Sequence, residues 1–276
     1  MMNTSSQPDQ PRIALVTGAT GAIGKAIARQ IAAEPGYHVS LIARDARKAH
    51  STVEEITRTT GNPHVTYQLA DLSRQVSIQA LAKSWPGPLH VLVNNAAASP
   101  RRRMETLEGI EMQFATNVLG YFWMMRAFED ILINTRDSRI VNVASYWAGD
   151  LDLDDLEFEH RSYHNGAAYR QSKQADRMLT AAFAERLSPF GVQVNACHPG
   201  DVNSRLSSDL GFGGHETPDQ GADTPAWLAL SETGGAVTGK YFESRRAVHD
   251  RFTEDKQAVE ALYQLCLAYD DRHASR

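Results

Sequence analysis

The apolar residues of this chain come in two alternating rhythms. Short β-rich runs, "RIALVTG" (12–18), "HVSLIAR" (38–44), "HVLVNNA" (90–96), "RIVNVAS" (139–145) and "VQVNACHPG" (192–200), are separated by stretches with helical spacing. In "AIGKAIARQIAAE" (22–34), Ile23, Ile27 and Ile31 fall on one helical face, and "SIQALAKSW" (77–85) is helical as well. Strands alternating with helices predict a parallel sheet covered on both faces. Right-handed crossovers then wind the sheet in both directions from its middle, with about seven strands. No internal repeat or low-complexity linker interrupts the pattern, so residues 12–276 are expected to form a single domain. The glycine-rich stretch "LGFGGHETPDQGADTP" (210–225) reads as a mobile loop, and a substrate loop is expected around 203–225. A last helix around Lys256–Tyr269 is expected to pack on the outside. "NVLGYFWMMRAF" (117–128) is apolar nearly all round, which predicts burial on two sides, as at a subunit interface.

Composition narrows the class. The 276 residues are 42% hydrophobic and 22% charged, as in an ordinary globular protein. A net charge of -5 is too mild to favour nucleic acid or an anionic membrane as partner. No apolar run approaches the ~20 residues of a membrane span. "MMNTSSQPDQP" lacks the apolar core of a signal peptide, and residues 1–11 read as a short disordered arm. The two cysteines, Cys197 and Cys266, have no metal-ligand spacing. They read as small buried hydrophobes of a protein in the reducing cytoplasm.

Candidate chemistry begins where the first strand runs into "TGATGAIGKA" (17–26). Glycines 18, 21 and 24 lie between a predicted strand and a predicted helix, the context of a dinucleotide site in a Rossmann fold. Gly18 permits the tight turn, while Gly21 and Gly24 let backbone and helix approach a pyrophosphate at the helix N-terminus. Thr17, Ala22 and Ile23 complete that segment. The second strand ends in "IARD". An arginine there accommodates a 2′-phosphate, so Arg44, with Lys25 as a possible helper, points to NADP(H) over NAD(H). The alternative is that Asp45 binds the ribose and the cofactor is NAD(H).

Further on, "GAAYRQSKQADRML" (166–179) puts Tyr169 and Lys173 one helical turn apart, on one face. A free phenol titrates near ~10, and a positive neighbour lowers that value. Lowering it by about two units takes roughly 2.7 kcal/mol, much of which one partly desolvated ammonium can supply. Ser145 closes a strand, so it lies at the carboxyl edge of the sheet, where ligands bind in open α/β folds.

The glycine turn, "ADLS" (70–73), "NNAA" (94–97), "NVLG" (117–120), "VNVAS" (141–145), "YRQSK" (169–173) and "HPG" (198–200) stand in the order found in short-chain dehydrogenases/reductases. The chain resembles that family over almost its whole length. It looks most like the retinol dehydrogenase branch, which includes the oxidoreductase domain of WW-domain oxidoreductase, with protochlorophyllide reductase a near relative. "TLEGIEMQFATNVLGYF" (106–122), the acidic insert "DLDLDDLEFE" (150–159) and "TGKYF" (238–242) carry that likeness.

The resemblance implies a role for each matching residue. Ser145, Tyr169 and Lys173 would be the catalytic group, with Asn117 holding a water in a proton relay. Asp71 would bind the adenine beside Leu72, and Asn94 and Ala96 would line the cofactor groove. Pro199, Gly200 and Val202 would meet the nicotinamide end, and Ser204 a phosphate or the carboxamide. Two positions depart from the family pattern: Ala22 stands where the middle glycine is usual, and Ala97 replaces the glycine of "NNAG". The implied reaction is hydride transfer between a nicotinamide and a carbonyl/alcohol pair of a small apolar or aromatic substrate. Double-bond reduction, or a non-catalytic nucleotide-binding scaffold, are the alternatives. A monomer or homodimer is expected.

Other features are read more plainly. Arg101, Arg102 and Arg103 form a solvated loop near the site mouth. The six acids of 150–159 are solvated or helix-starting charges, and no metal is expected. His198 reads as a structural histidine. Tyr146 and Trp147 are candidates for shaping an apolar substrate pocket, as are residues of the 205–214 loop.

Overall fold

The computed structural model describes residues 11–274. The expected N-terminal arm lies outside them except for Pro11. Eight strands form one sheet: β1 (Arg12–Thr17), β2 (Tyr37–Ala43), β3 (Val65–Leu69), β4 (Val91–Asn94), β5 (Arg139–Val143), β6 (Gln193–Cys197), β7 (Tyr241–Glu243) and β8 (Arg246–Val248). Their order is β3-β2-β1-β4-β5-β6-β7-β8. All pairings are parallel except β7 with β8. The strand beyond the expected seven is this antiparallel edge, joined to β7 by a two-residue turn. Ser244 and Arg245 in that turn have φ of 47° and 61°. The order reverses between β1 and β4, and in open sheets of this kind ligands bind at the carboxyl ends of the strands beside that point.

Side chains alternate across the sheet even where the run is wholly apolar. Ala14, Val16, Val91, Val93, Val141 and Val143 enter one core with helices α1 (Ala22–Ala33), α2 (Ala46–Thr60) and α8 (Pro218–Leu230). Leu15, Leu92, Ile140 and Val194 enter the other. There they meet α3 (Gln75–Lys83), α4 (Gly120–Ala127), α6 (Asn165–Leu187) and α9 (Lys256–Ala274). Two short helices, α5 (Glu129–Ile133) and α7 (Arg205–Asp209), complete the set. Each fully buried Leu, Ile or Val contributes about 1.5–3 kcal/mol, so the two faces together fix the strand ends that build the site.

Three elements differ from the sequence reading. The loop expected through residue 225 ends at Thr217, which caps α8 together with Gln220 in a reciprocal pair, with Pro218 in the first turn. The apolar stretch 117–128 is buried within this one chain: Phe122 packs edge-on against Phe183 and against Tyr263 of α9, at 5.6 and 5.3 Å. The turn that leads into it, Phe114–Leu119, is wound as a π-helix, and the Gly120 N–H reaches back five residues to Ala115 O. A Cβ on Gly120 would stand 2.8 Å from Leu72 O, so this glycine lets the helix nest against the loop after β3. Among the described residues no helix is long and apolar enough to cross a membrane.

Candidate active site

The glycine turn is locked to the end of β4. Thr17 Oγ1 accepts from the N–H groups of Asn95 (2.8 Å) and Ala96 (3.1 Å) and donates to Val93 O (3.2 Å). Gly18 has φ of 63°, and a Cβ there would stand 2.8 Å from Ala96 Cα. Gly21 precedes α1, whose first turn carries no acid and no side-chain cap. Ala22 is the first residue of α1, where its methyl is accommodated, and Ile23 lines the neighbouring cavity. Helix amides with no carboxylate upon them, under a turn too tight for side chains, fit the pyrophosphate of a dinucleotide.

The groups that meet the adenosine end are sorted by their neighbours. Arg44 is exposed at the end of β2. Asp45 caps α2, accepting from Lys48 N (3.2 Å) and Arg47 N (2.9 Å), and these bonds hold its carboxyl below the usual range. Lys25 is paired with Glu55 at 2.8 Å in a half-exposed contact. Asp71 Oδ1 is held by Ser73 N and Oγ at 3.1 and 2.8 Å, beside the buried Leu72. Ala96 lies directly under Gly18, in the groove. Asn94 is a correction: its side chain is fully buried and donates to Asn142 Oδ1 of β5 at 2.9 Å. It lies beneath the groove and ties two strands instead of lining it.

Ser145, Tyr169 and Lys173 converge at the carboxyl end of β5. Ser145 Oγ accepts from Trp147 N at 3.0 Å. Burial pushes the Tyr169 phenol above its ordinary value, although Lys173 and a hydrogen bond with Ser145 work the other way. The net upward direction differs from the simple expectation for a phenol beside an ammonium. The reason is burial, which outweighs the ammonium; the Nζ donates to Asp176 Oδ2 at 2.8 Å and to Val143 O at 3.0 Å, and Asp176 adds a smaller upward push. Burial works against the Lys173 charge, but Asp176, Tyr121 and Tyr169 outweigh it and raise its pKa.

Asn117 lies in the π-wound segment. Its amide is fully engaged: Oδ1 accepts from Ala98 N (2.8 Å), and Nδ2 donates to Ala98 O (3.0 Å) and Ser172 Oγ (3.2 Å). The side chain therefore joins the loop after β4 to α6.

A cavity of about 390 Å³ opens beside Ser145 and Tyr169. Pro199, Gly200, Val202 and Ser204 form its floor, and Tyr146, Trp147 and Phe212 are its aromatic members. Trp147 lies 6.1 Å from Tyr169 and 5.5 Å from Phe212, ring centre to ring centre. Ser204 caps α7, accepting from Ser207 N at 3.1 Å. Gly200 has φ of 98° and stands against the Glu216 carboxylate, leaving no room for a Cβ.

His198 also lines the cavity, and it is not the satisfied histidine its place in the sequence suggests. Nδ1 is buried without a partner, and burial pushes its pKa down to about 4, so the ring is neutral. Phe212 lies in the 205–214 loop expected to shape the pocket; sequence reasoning missed Asp201, which accepts from Tyr146 Oη at 3.3 Å. Arg103 is tied down by Glu157 O and Glu105. Asp155, in the acidic insert, accepts from three main-chain amides and Arg161. Among the described residues no three His, Cys, Asp or Glu side chains converge as metal ligands.

A doubly wound sheet whose dinucleotide crevice meets a serine, a tyrosine and a lysine is the build of a nicotinamide-dependent oxidoreductase working on alcohol/carbonyl pairs. The chain belongs to the short chain dehydrogenase family, whose model matches residues 12–211. Human retinol dehydrogenase 11 is 36% identical over 245 residues, which cover 84% of this chain and 76% of that protein. The solved structure of an uncharacterized protein from Mycobacterium paratuberculosis is similar with a TM-score of 0.79 and 28% identity, covering 94% of this chain and 95% of that one. A point variant of actinorhodin polyketide ketoreductase, solved with NADPH, is similar with a TM-score of 0.66 and 26% identity, covering 85% and 95%. The retinol dehydrogenase-like branch suggested by the sequence motifs agrees with these relatives.

Proposed function

We propose that this enzyme is an NADP(H)-dependent reductase of ketones or aldehydes carried by small apolar or aromatic molecules. The observation that carries the reading is the pairing of two features. Ser145 and Tyr169 face an aromatic-lined cavity, and Arg44 is the uncommitted charge at the adenosine end while Asp45 is taken up in capping α2. The NADPH bound by the ketoreductase relative is in keeping with that choice. Two buried free cysteines suit a reducing, cytoplasmic setting.

The nicotinamide, when bound, supplies hydride to the carbonyl carbon. Tyr169 gives the proton to the carbonyl oxygen, and takes it back from the alcohol in the reverse direction. Ser145 donates a hydrogen bond to the same oxygen and orients it. Lys173 holds the nicotinamide ribose and favours the phenolate. Asn117 acts through its main-chain carbonyl as a water holder, its side chain being engaged elsewhere. Gly18, Gly21 and Gly24 cradle the pyrophosphate, Asp71 and Leu72 the adenine, and Val202 and Ser204 the carboxamide end. Tyr146, Trp147 and Phe212 shape the apolar part of the substrate site.

The test is a titration of the purified protein with NADPH and NADH, followed by nicotinamide fluorescence. NADPH is expected to bind more tightly. Arg44→Ala should weaken NADPH roughly 10- to 100-fold, the scale of one lost charge-assisted contact, and leave NADH nearly unchanged. Preference for NADH would assign the ribose to Asp45 and overturn the cofactor reading.

A further inference from the structure

Tyr169, Lys173 and Asp176 follow one another at spacings of four and three on α6, so all three share one helical face. The lysine and the aspartate are closed off from solvent, with side-chain exposures of 2% and 0%. Their Nζ–Oδ2 separation is 2.8 Å, and Nζ is held from the other side by Val143 O. The charge beside the phenol is therefore one half of an ion pair.

We propose that Asp176 is a positioning residue for Lys173: it fixes the ammonium, offsets its charge, and so sets the pH at which Tyr169 exchanges its proton. This rests on the reading of Tyr169 as the proton-transfer group.

The carboxylate is poorly explained as a source of stability. A buried ion pair loses the hydration of both charges, and replacing such pairs is often neutral or favourable. Here Oδ1 of Asp176 is in addition buried without a donor. Nor does another residue supply the countercharge. The titratable groups facing the pair are Tyr121 from α4, whose ring centre is 4.9 Å from Nζ, Tyr169 from α6, Cys197 from β6 and Cys266 from α9. Burial pushes each of these phenols and thiols up, so all are neutral at ordinary pH. Asp201, in the turn after β6, acts on Tyr169 from the cavity side. Burial pushes Asp176 up to about 7 against the attraction of Lys173, so the carboxyl is ionised across the alkaline range in which a phenol titrates.

A lone cation about 4–6 Å from an acid lowers its pKa by about 1–3 units, and a countercharge in contact cancels much of that. Asp176→Asn removes the countercharge and keeps the shape. The readout is the tyrosinate absorbance as pH is raised, with the Tyr169→Phe protein subtracted to isolate this phenol. The Asn variant is expected to lower the Tyr169 midpoint by about 1 unit or more. Asp176→Ser, which is smaller and cannot overpack the helix, should move it the same way if the Asn protein folds badly. An unchanged or higher midpoint in the folded variant overturns the proposal. The underlying reading fails separately, if Tyr169→Phe keeps normal turnover. The two outcomes are distinct because the titration needs no substrate.

Discussion

Replacing Tyr169 by phenylalanine is expected to cut turnover by roughly 1,000-fold, in the middle of the range for losing a general acid. Cofactor affinity should survive. The ring is buried, packed beside Trp147 and beneath the cavity, and Phe retains all of that packing. What is lost is one oxygen, its hydrogen bond with Ser145 and the proton it carries. Stability should therefore change by about 1 kcal/mol or less. Steady-state kinetics with NADPH and a panel of aromatic ketones, beside a fluorescence titration of the same protein, separates the two effects. Turnover at the wild-type rate would remove Tyr169 from the chemistry. Loss of binding along with turnover would make it a structural residue of the cofactor groove.

The second large effect is expected at Gly24. A methyl there would stand 2.4 Å from Gly18 O and 2.5 Å from Asn95 Nδ2. Neither atom can retreat easily. Gly18 O belongs to the turn itself, and the Asn95 amide donates to Thr17 O at 2.9 Å. Gly24→Ala should thus push α1 away from the turn and spoil the amide cradle. Overpacking of this kind costs about 1–3 kcal/mol. A melting curve should fall by several degrees, and cofactor affinity should drop by more than about tenfold, since RT ln 10 is only about 1.4 kcal/mol. Gly87→Ala is the control, because a Cβ at that position meets nothing within 4 Å. If both variants bind cofactor like wild type, the turn is not the pyrophosphate site.

The central strands were legible in the chain because they are apolar on both faces and end in turn residues, as at Gly18 and Pro199–Gly200. Elements with thin patterns were not. The chain between residues 45 and 70 shows no clear run, yet α2 and β3 lie there. α2 buries only Ala49, Thr52 and Ile56, so its apolar stripe is one residue wide per turn. β7 and β8 have three residues each, too few for a period to show. The start of α8 did carry a signal, Thr217 and Gln220 around Pro218, which the surrounding glycines obscured.

The candidate site divides in the same way. Ser145, Tyr169 and Lys173 could be read because strand ends and helical spacing are local properties. Asp176 is as local as these, seven residues beyond Tyr169, but a single acid on a helix carries no signal until the fold shows it buried against the lysine. Asn94 was misplaced because alternation along β4 turns it into the sheet. His198 and Asp201 depend on how the segment after β6 folds back over the cavity, which no local pattern encodes.

On α9, Val259, Leu262, Tyr263, Cys266 and Tyr269 are all buried, with Tyr263 resting edge-on against Phe122 of α4 and Phe183 of α6. The chain thus covers α4 and α6 with its own tail. Removing α9 would bare Phe122 and Phe183 to water, so this last helix is part of the core and not an appendage to it.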